Sequence, residues 1–240
     1  SDVIEGAKHP AEAPAVIGHQ DAENLFVDAL NEGRLHHAWM ITGPKGIGKA
    51  TLAWRLAKYL LCSPIREEGP SLFGDAPEVI QTLDIDPDHP VLNRIHAGSE
   101  GRLSVVRRPY DAKRKVFKAQ ITVEEIRKLK SFFALSAADG GRRVVIIDAA
   151  DDMNVNAANA LLKVLEEPPQ HTTLLLISHQ PSRLLPTIRS RCRTLRLGAL
   201  SPADIDAVLA TQELEIDAAK MGALSTLSAG SAGEAIRLAQ

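Results

Sequence analysis

Aromatic residues make up only 4% of this 240-residue chain, and cysteine occurs twice, at Cys62 and Cys192. So few rings exclude an aromatic stacking platform for single-stranded nucleic acid. Two cysteines build neither a disulfide framework nor a four-thiolate zinc site, and they suit a reducing compartment such as the cytoplasm. Long apolar runs are missing as well. The longest, at 144–147 and 174–177, are strand-sized, far short of the roughly 20 residues a membrane helix needs. Residues 1–12 include Asp2, Glu5 and Glu12 and no apolar block of the kind a signal peptide carries. A net charge of −2 excludes a global attraction to nucleic acid. What is present is 45% hydrophobic and 24% charged residues, the composition of a folded chain with a real core. The length fits one large domain or two modest ones.

The charge is unevenly spread. Arg102, Arg107, Arg108, Lys113, Arg114, Lys115, Lys118, Arg127, Lys128 and Lys130 are opposed only by Asp111, Glu124 and Glu125. Such a stretch either meets phosphates or is a solvated face with a charged loop, and composition alone leaves both open.

Periodicity predicts a helix over residues 19–31, with Leu25, Phe26, Ala29 and Leu30 on one side. A short apolar run at 38–41 leads into a glycine-rich turn and a helix over about 49–61, the opening of a βαβ unit. Residues 63–118 are the least regular part, interrupted by six prolines, with short strands expected at 79–83 and 91–95. Thr122 to Glu125 has the form of a capping box, and the helix it opens is expected to end near Gly140 and Gly141. Buried strands are expected at 144–147, 172–178 and 194–197, with a helix over about 155–167 that Pro168 and Pro169 stop. Strands alternating with helices in this way predict a doubly wound α/β domain over residues 1–197. From residue 198 to 240 only helical patterns remain, which predicts a small helical domain.

Gly43, Pro44, Lys45, Gly46, Ile47, Gly48 and Lys49 match all but the last position of a phosphate-binding loop. Glycine lets the backbone turn its amides toward phosphates at a helix N-terminus, and Lys49 adds a point charge. The last position needs a hydroxyl for Mg²⁺, and here it is Ala50. Thr51 does not replace it, because one residue along a helix rotates a side chain by about 100°. The strand ending at Asp148 is followed by Ala149, where an ATPase needs a carboxylate to activate water. The loop is present; two parts of a hydrolytic site are not. Asp151 and Asp152 read as helix-entry residues. Cys192 reads as a small buried side chain, because no general base stands near it in sequence.

The segments Gly18-His-Gln20, His36-His-Ala38, the altered loop, Asn159-Ala-Leu-Leu-Lys-Val-Leu-Glu-Glu-Pro-Pro169 and Ser190-Arg-Cys192 together resemble bacterial DNA polymerase III clamp-loader subunits of the AAA+ class. The resemblance implies a RecA-like parallel sheet with helices on both faces, followed by an all-helical lid. It implies that Arg191 acts in trans on a neighbour's ATP site, as an arginine finger. It places Ser178 where the family's first sensor contacts a γ-phosphate, and Gly233 where a second-sensor arginine would stand. Asp148 and the loop 43–49 fall at the nucleotide site. Family members often carry a four-cysteine zinc module after the loop helix; with Cys62 alone there, no zinc or other metal is expected.

The altered loop and the Asp-Ala ending are similar to the family's non-motor subunit rather than to its gamma/tau motors. The expected partners are the gamma/tau and delta subunits and, through the complex, the sliding clamp and primed DNA. The expected function is a non-hydrolysing stator of the loader, within the cytoplasmic DNA polymerase III holoenzyme. Two alternatives stand beside it: an AAA+ ATPase that hydrolyses ATP itself, and a scaffold holding ATP, ADP or phosphate weakly without hydrolysis. The family's third, collar domain has no counterpart before Gln240, so a monomeric N-terminal fragment is expected.

Overall fold

The computed structural model describes residues 8–65, 79–135, 141–212, 214 and 217–240. Seven strands occur among them: β1 (Ala38–Thr42), β2 (Leu103–Arg107), β3 (Tyr110–Asp111), β4 (Val116–Phe117), β5 (Arg143–Asp148), β6 (Thr172–Ser178) and β7 (Arg193–Arg196). Five form one sheet in the order β2-β5-β6-β1-β7, every neighbouring pair parallel, while β3 and β4 make a separate antiparallel hairpin. Each parallel step needs a crossover, and the helical segments between the strands supply it.

The central strands are apolar on both sides, and their alternation sorts them into two cores. Trp39, Ile41, Val144, Ile146, Leu175 and Ile177 face one layer, with α1 (Gln20–Asn31), α2 (Lys49–Cys62) and α3 (Pro90–His96). Met40, Val145, Ile147, Leu174 and Leu176 face the other, with α4 (Val123–Leu135), α5 (Val155–Glu166) and α6 (Pro186–Arg189). The sequence reading of an α/β fold with helices on both faces holds.

Local departures have local causes. Residues 79–83 form no strand; the Asn31 side chain instead holds Ile80 by both its N–H and its carbonyl, each at 2.8 Å. Residues 91–95 lie in α3, not in a strand. Pro90 starts that helix, the His89 ring accepts from the Val91 N–H, and Val91, Leu92 and Ile95 share its buried side. Leu25 is 38% exposed rather than inward. Helix α4 starts after Thr122 as expected, and Glu125 in its first turn pairs with Lys128 at 2.7 Å. Its expected end at Gly140 lies outside the described residues.

Three helices follow β7: α7 (Pro202–Ala210), α8 (Ala218–Leu227) and α9 (Ala232–Ala239). Ser201, Asp217 and Ser231 cap them, each accepting an N–H three residues on. They share a core of their own around Leu200, Ile205, Leu209, Leu224 and Ile236.

Candidate functional site

Parallel strands put all their C-terminal ends on one edge of the sheet, where open α/β sheets bind ligands. The loop 43–48 leaves β1 at that edge and enters α2. Each of its carbonyls is engaged by a hydrogen-bond donor. Lys49 Nζ donates to the Gly43 oxygen at 2.8 Å and also to that of Pro44; Ser231 Oγ donates to the Lys45 oxygen at 3.1 Å. The Gly233 N–H donates to the Gly46 oxygen at 2.8 Å, and His19 Nε2 to that of Ile47 at 2.6 Å. The Leu52 N–H takes the Gly48 oxygen, 2.9 Å away, as part of α2. All the loop's carbonyls are thus taken, two of them by the Lys49 ammonium itself.

Two of those donors, Ser231 and Gly233, come from the start of α9, so the last helix rests directly on the loop. Gly46, at φ +75°, is required there: a Cβ would run into the Ser231 hydroxyl and lie 3.2 Å from the Gly233 backbone. The backbone of Gly233 thus touches the loop at the position where the family resemblance would put an arginine.

Lys49 is 3% exposed, and burial lowers its pKa to about 8, with Asp151 and Asp148 acting in the opposite sense. Asp148 ends β5 beside Ile177, and Ser178 ends β6 beside Thr42, so both reach the loop's edge of the sheet. Ser178 is fully buried, and its hydroxyl donates to Asp151 Oδ1 at 2.7 Å. The other Asp151 oxygen accepts the N–H groups of His179 and, at 3.3 Å, Gln180. Asp151 and Asp152 do lie in a helical turn, the 3₁₀ helix Ala150–Asp152, but Asn154 caps α5, and the Asp151 carboxylate ties the exit of β5 to the exit of β6. Asp152 pairs with Arg108 at 3.3 Å. The sequence reading missed Asp151 and His19 because their partners lie 27 or more residues away.

Arg191 lies elsewhere. It precedes β7, whose Arg193 pairs with Trp39 and whose Arg196 pairs with Thr42, so it sits at the N-terminal edge of the sheet. The three steps of β7, at a rise of about 3.3 Å each, alone put roughly 10 Å between it and the loop's edge. Its Nη2 is 2.9 Å from Glu166 Oε1, and its Nη1 donates to the Thr187 oxygen at 3.1 Å. The neighbouring Cys192 thiol is pushed up to about 12 by burial, which keeps it protonated and unreactive.

The basic stretch is divided by local pairing. Arg102 meets Glu100 at 2.8 Å, Arg108 meets Asp152, and Lys128 meets Glu125. Lys113, Arg114 and Lys115 stand exposed at the turn of the β3–β4 hairpin. Among the described residues no group of histidine, cysteine or acidic side chains is arranged to hold a metal ion, and no helix is long and apolar enough to cross a membrane.

Comparison with known proteins places this geometry. The family model described as "DNA polymerase III, delta subunit" matches residues 18–201. The DNA polymerase III subunit delta' of Pseudomonas aeruginosa is 43% identical over 160 residues, 65% of this chain and 41% of that protein. The subunit delta' of Bacillus subtilis is 33% identical over 215 residues, 89% of this chain and 57% of that protein. The chain thus spans about half the length of these relatives. Among solved structures, the RuvB Holliday junction branch migration motor of Thermotoga maritima aligns with a TM-score of 0.57 and 16% identity, over 96% of this chain and 64% of that one. That likeness fixes the P-loop AAA+ fold, and with residues 18–201 matched, the chain belongs to the delta-prime clamp-loader subunits of DNA polymerase III.

Proposed function

We propose that this subunit hydrolyses no ATP itself and instead presents Arg191 to the ATP site of a neighbouring gamma/tau subunit. Its other partners in this reading are the delta subunit, the sliding clamp and, through the assembled loader, primed DNA. The observation that carries the proposal is the placement of Arg191 at the opposite edge of the sheet from the chain's own phosphate loop. Placed at that edge and engaged with Glu166 and Thr187, the guanidinium does not serve that loop; it is half-exposed, where another subunit's phosphates can reach it. An arginine there stabilises charge that develops on the transferring phosphoryl group.

The chain's own loop supports the same division of labour. Ala50 offers no ligand for Mg²⁺, Ala149 cannot activate water, and Gly233 contributes only backbone. What the loop retains is the glycine-turned entry into α2, with no side-chain cap, and the Lys49 ammonium, which favour a second, compatible reading in which ATP, ADP or phosphate binds weakly and is not turned over. No bound cofactor is needed for Arg191 to act.

The test is a loader reconstituted with Arg191→Ala. Its clamp- and DNA-stimulated ATPase should fall at least tenfold, a floor well below the about 10³–10⁵ that such arginines contribute in other phosphoryl-transfer systems. A loader with undiminished stimulation would show that Arg191 is a surface ion pair and nothing more.

A further inference from the structure

Three segments far apart in sequence meet at the N-terminal edge of the sheet: His36 and His37 before β1, the end of α5, and Arg191 before β7. The ring of His37 stacks on that of His36 with centroids 4.4 Å apart, and its Nε2 donates to the Leu165 oxygen at 3.1 Å. That oxygen belongs to the last turn of α5, where carbonyls lack helical partners. The His37 carbonyl accepts the Leu174 N–H of β6 at 2.7 Å, so one residue fastens the helix end to the sheet. The next residue of that helix end, Glu166, is the one that grips Arg191.

We infer that Glu166 is a positioning residue for Arg191, holding the guanidinium in the attitude from which it meets a neighbour's phosphate. This rests on the reading of Arg191 as a finger in trans. A long exposed arginine loses rotamer freedom when it engages an anion, and one already held has lost that freedom beforehand. The grip is suited to this. A guanidinium carries five donors in a fixed fork, so anchoring it by ion pairing with Glu166 and by one N–H to the Thr187 carbonyl leaves the fork able to receive an oxyanion. Both anchors come from rigid elements, α5 and α6. The pair is also half-exposed, which keeps it weak enough to yield when a phosphate competes for the same cation.

The experiment compares complete loaders carrying Glu166→Ala, Glu166→Gln, Arg191→Ala and the double Glu166→Ala/Arg191→Ala, with clamp- and DNA-stimulated ATP turnover followed over a range of ATP concentrations. Glu166→Ala should lower kcat about two- to fivefold with KM for ATP unchanged, the range expected of one exposed charged contact. Glu166→Gln, which keeps an acceptor, should recover part of the loss. The double variant should match Arg191→Ala alone, because a positioning residue has nothing left to position. Wild-type kcat in Glu166→Ala beside an impaired Arg191→Ala would overturn the role of Glu166 and leave the finger standing. A double variant slower than Arg191→Ala would also overturn it, by showing that Glu166 acts elsewhere. Wild-type turnover in Arg191→Ala would remove the finger itself, a separate result.

Discussion

Gly46→Ala is the sharpest test of the contact between α9 and the phosphate loop. At φ +75° an alanine is forced into the left-handed region, which costs about 1–2 kcal/mol. Its Cβ then meets the Ser231 hydroxyl and stands 3.2 Å from the Gly233 nitrogen and Cα. Overpacking of that kind adds about 1–3 kcal/mol. The total is about 2–5 kcal/mol, a large share of the stability of an ordinary domain. Gly98 is the natural control: its φ is +66°, and nothing lies within 4 Å of where a Cβ would stand. Gly98→Ala therefore carries the backbone cost alone, about 1–2 kcal/mol. Urea unfolding of the two variants isolates the difference, expected at about 1–3 kcal/mol. Adding Ser231→Gly to Gly46→Ala should return part of the excess, since it removes the nearest clash while costing only a few tenths as a helix cap. Equal destabilisation of Gly46→Ala and Gly98→Ala would refute the docking of α9 on the loop.

Lys49 gives a prediction in pH. Its folded pKa of about 8 lies below the ordinary 10.5, so between those values the unfolded chain binds more protons and stability rises with pH. Relative to Lys49→Met, the wild-type chain should gain about 2 kcal/mol between pH 7.5 and 9.5, read from paired urea midpoints. Midpoints that move in parallel for the two proteins would contradict the burial of the ammonium. Nucleotide is the last point: calorimetry should find at most weak ATP binding, lost in Lys49→Ala, and the isolated chain should show no steady ATP turnover at high protein concentration. Sustained turnover would restore the motor reading.

Much of the fold is legible in sequence because its signals are local. The run at 144–147 is β-branched throughout and reads as a doubly buried strand, and the glycine spacing of the loop followed by Leu52, Leu56 and Leu60 declares a turn entering an amphipathic helix. Residues 91–95 mislead because so short a segment, apolar at 91, 92 and 95, suits either element, and Pro90 with His89 as cap decides for a helix. The site was legible only in its parts. Lys49, Asp148 and Ser178 stand out by motif, but nothing nearby in sequence announces that Asp151 will hold Ser178, or that Ser231 will reach Lys45 across 186 positions. The first joins two side chains 27 positions apart, and the second ends on a main-chain carbonyl, which any residue supplies, so neither leaves a local trace. Glu166 was hidden differently, in plain view within a motif whose individual side chains the pattern does not rank.

The amide of Asn31 holds Ile80 through that residue's own N–H and carbonyl, as a neighbouring strand would. It follows that the two ends of this contact tolerate change very unequally. Position 80 supplies only backbone to it, so for this purpose its side chain is free to drift, proline apart. Position 31 has no such latitude: aspartate lacks the donor, leucine lacks both groups, and glutamine is one methylene too long for the same bite. One helical asparagine thus carries the whole specificity of a junction whose other half is anonymous.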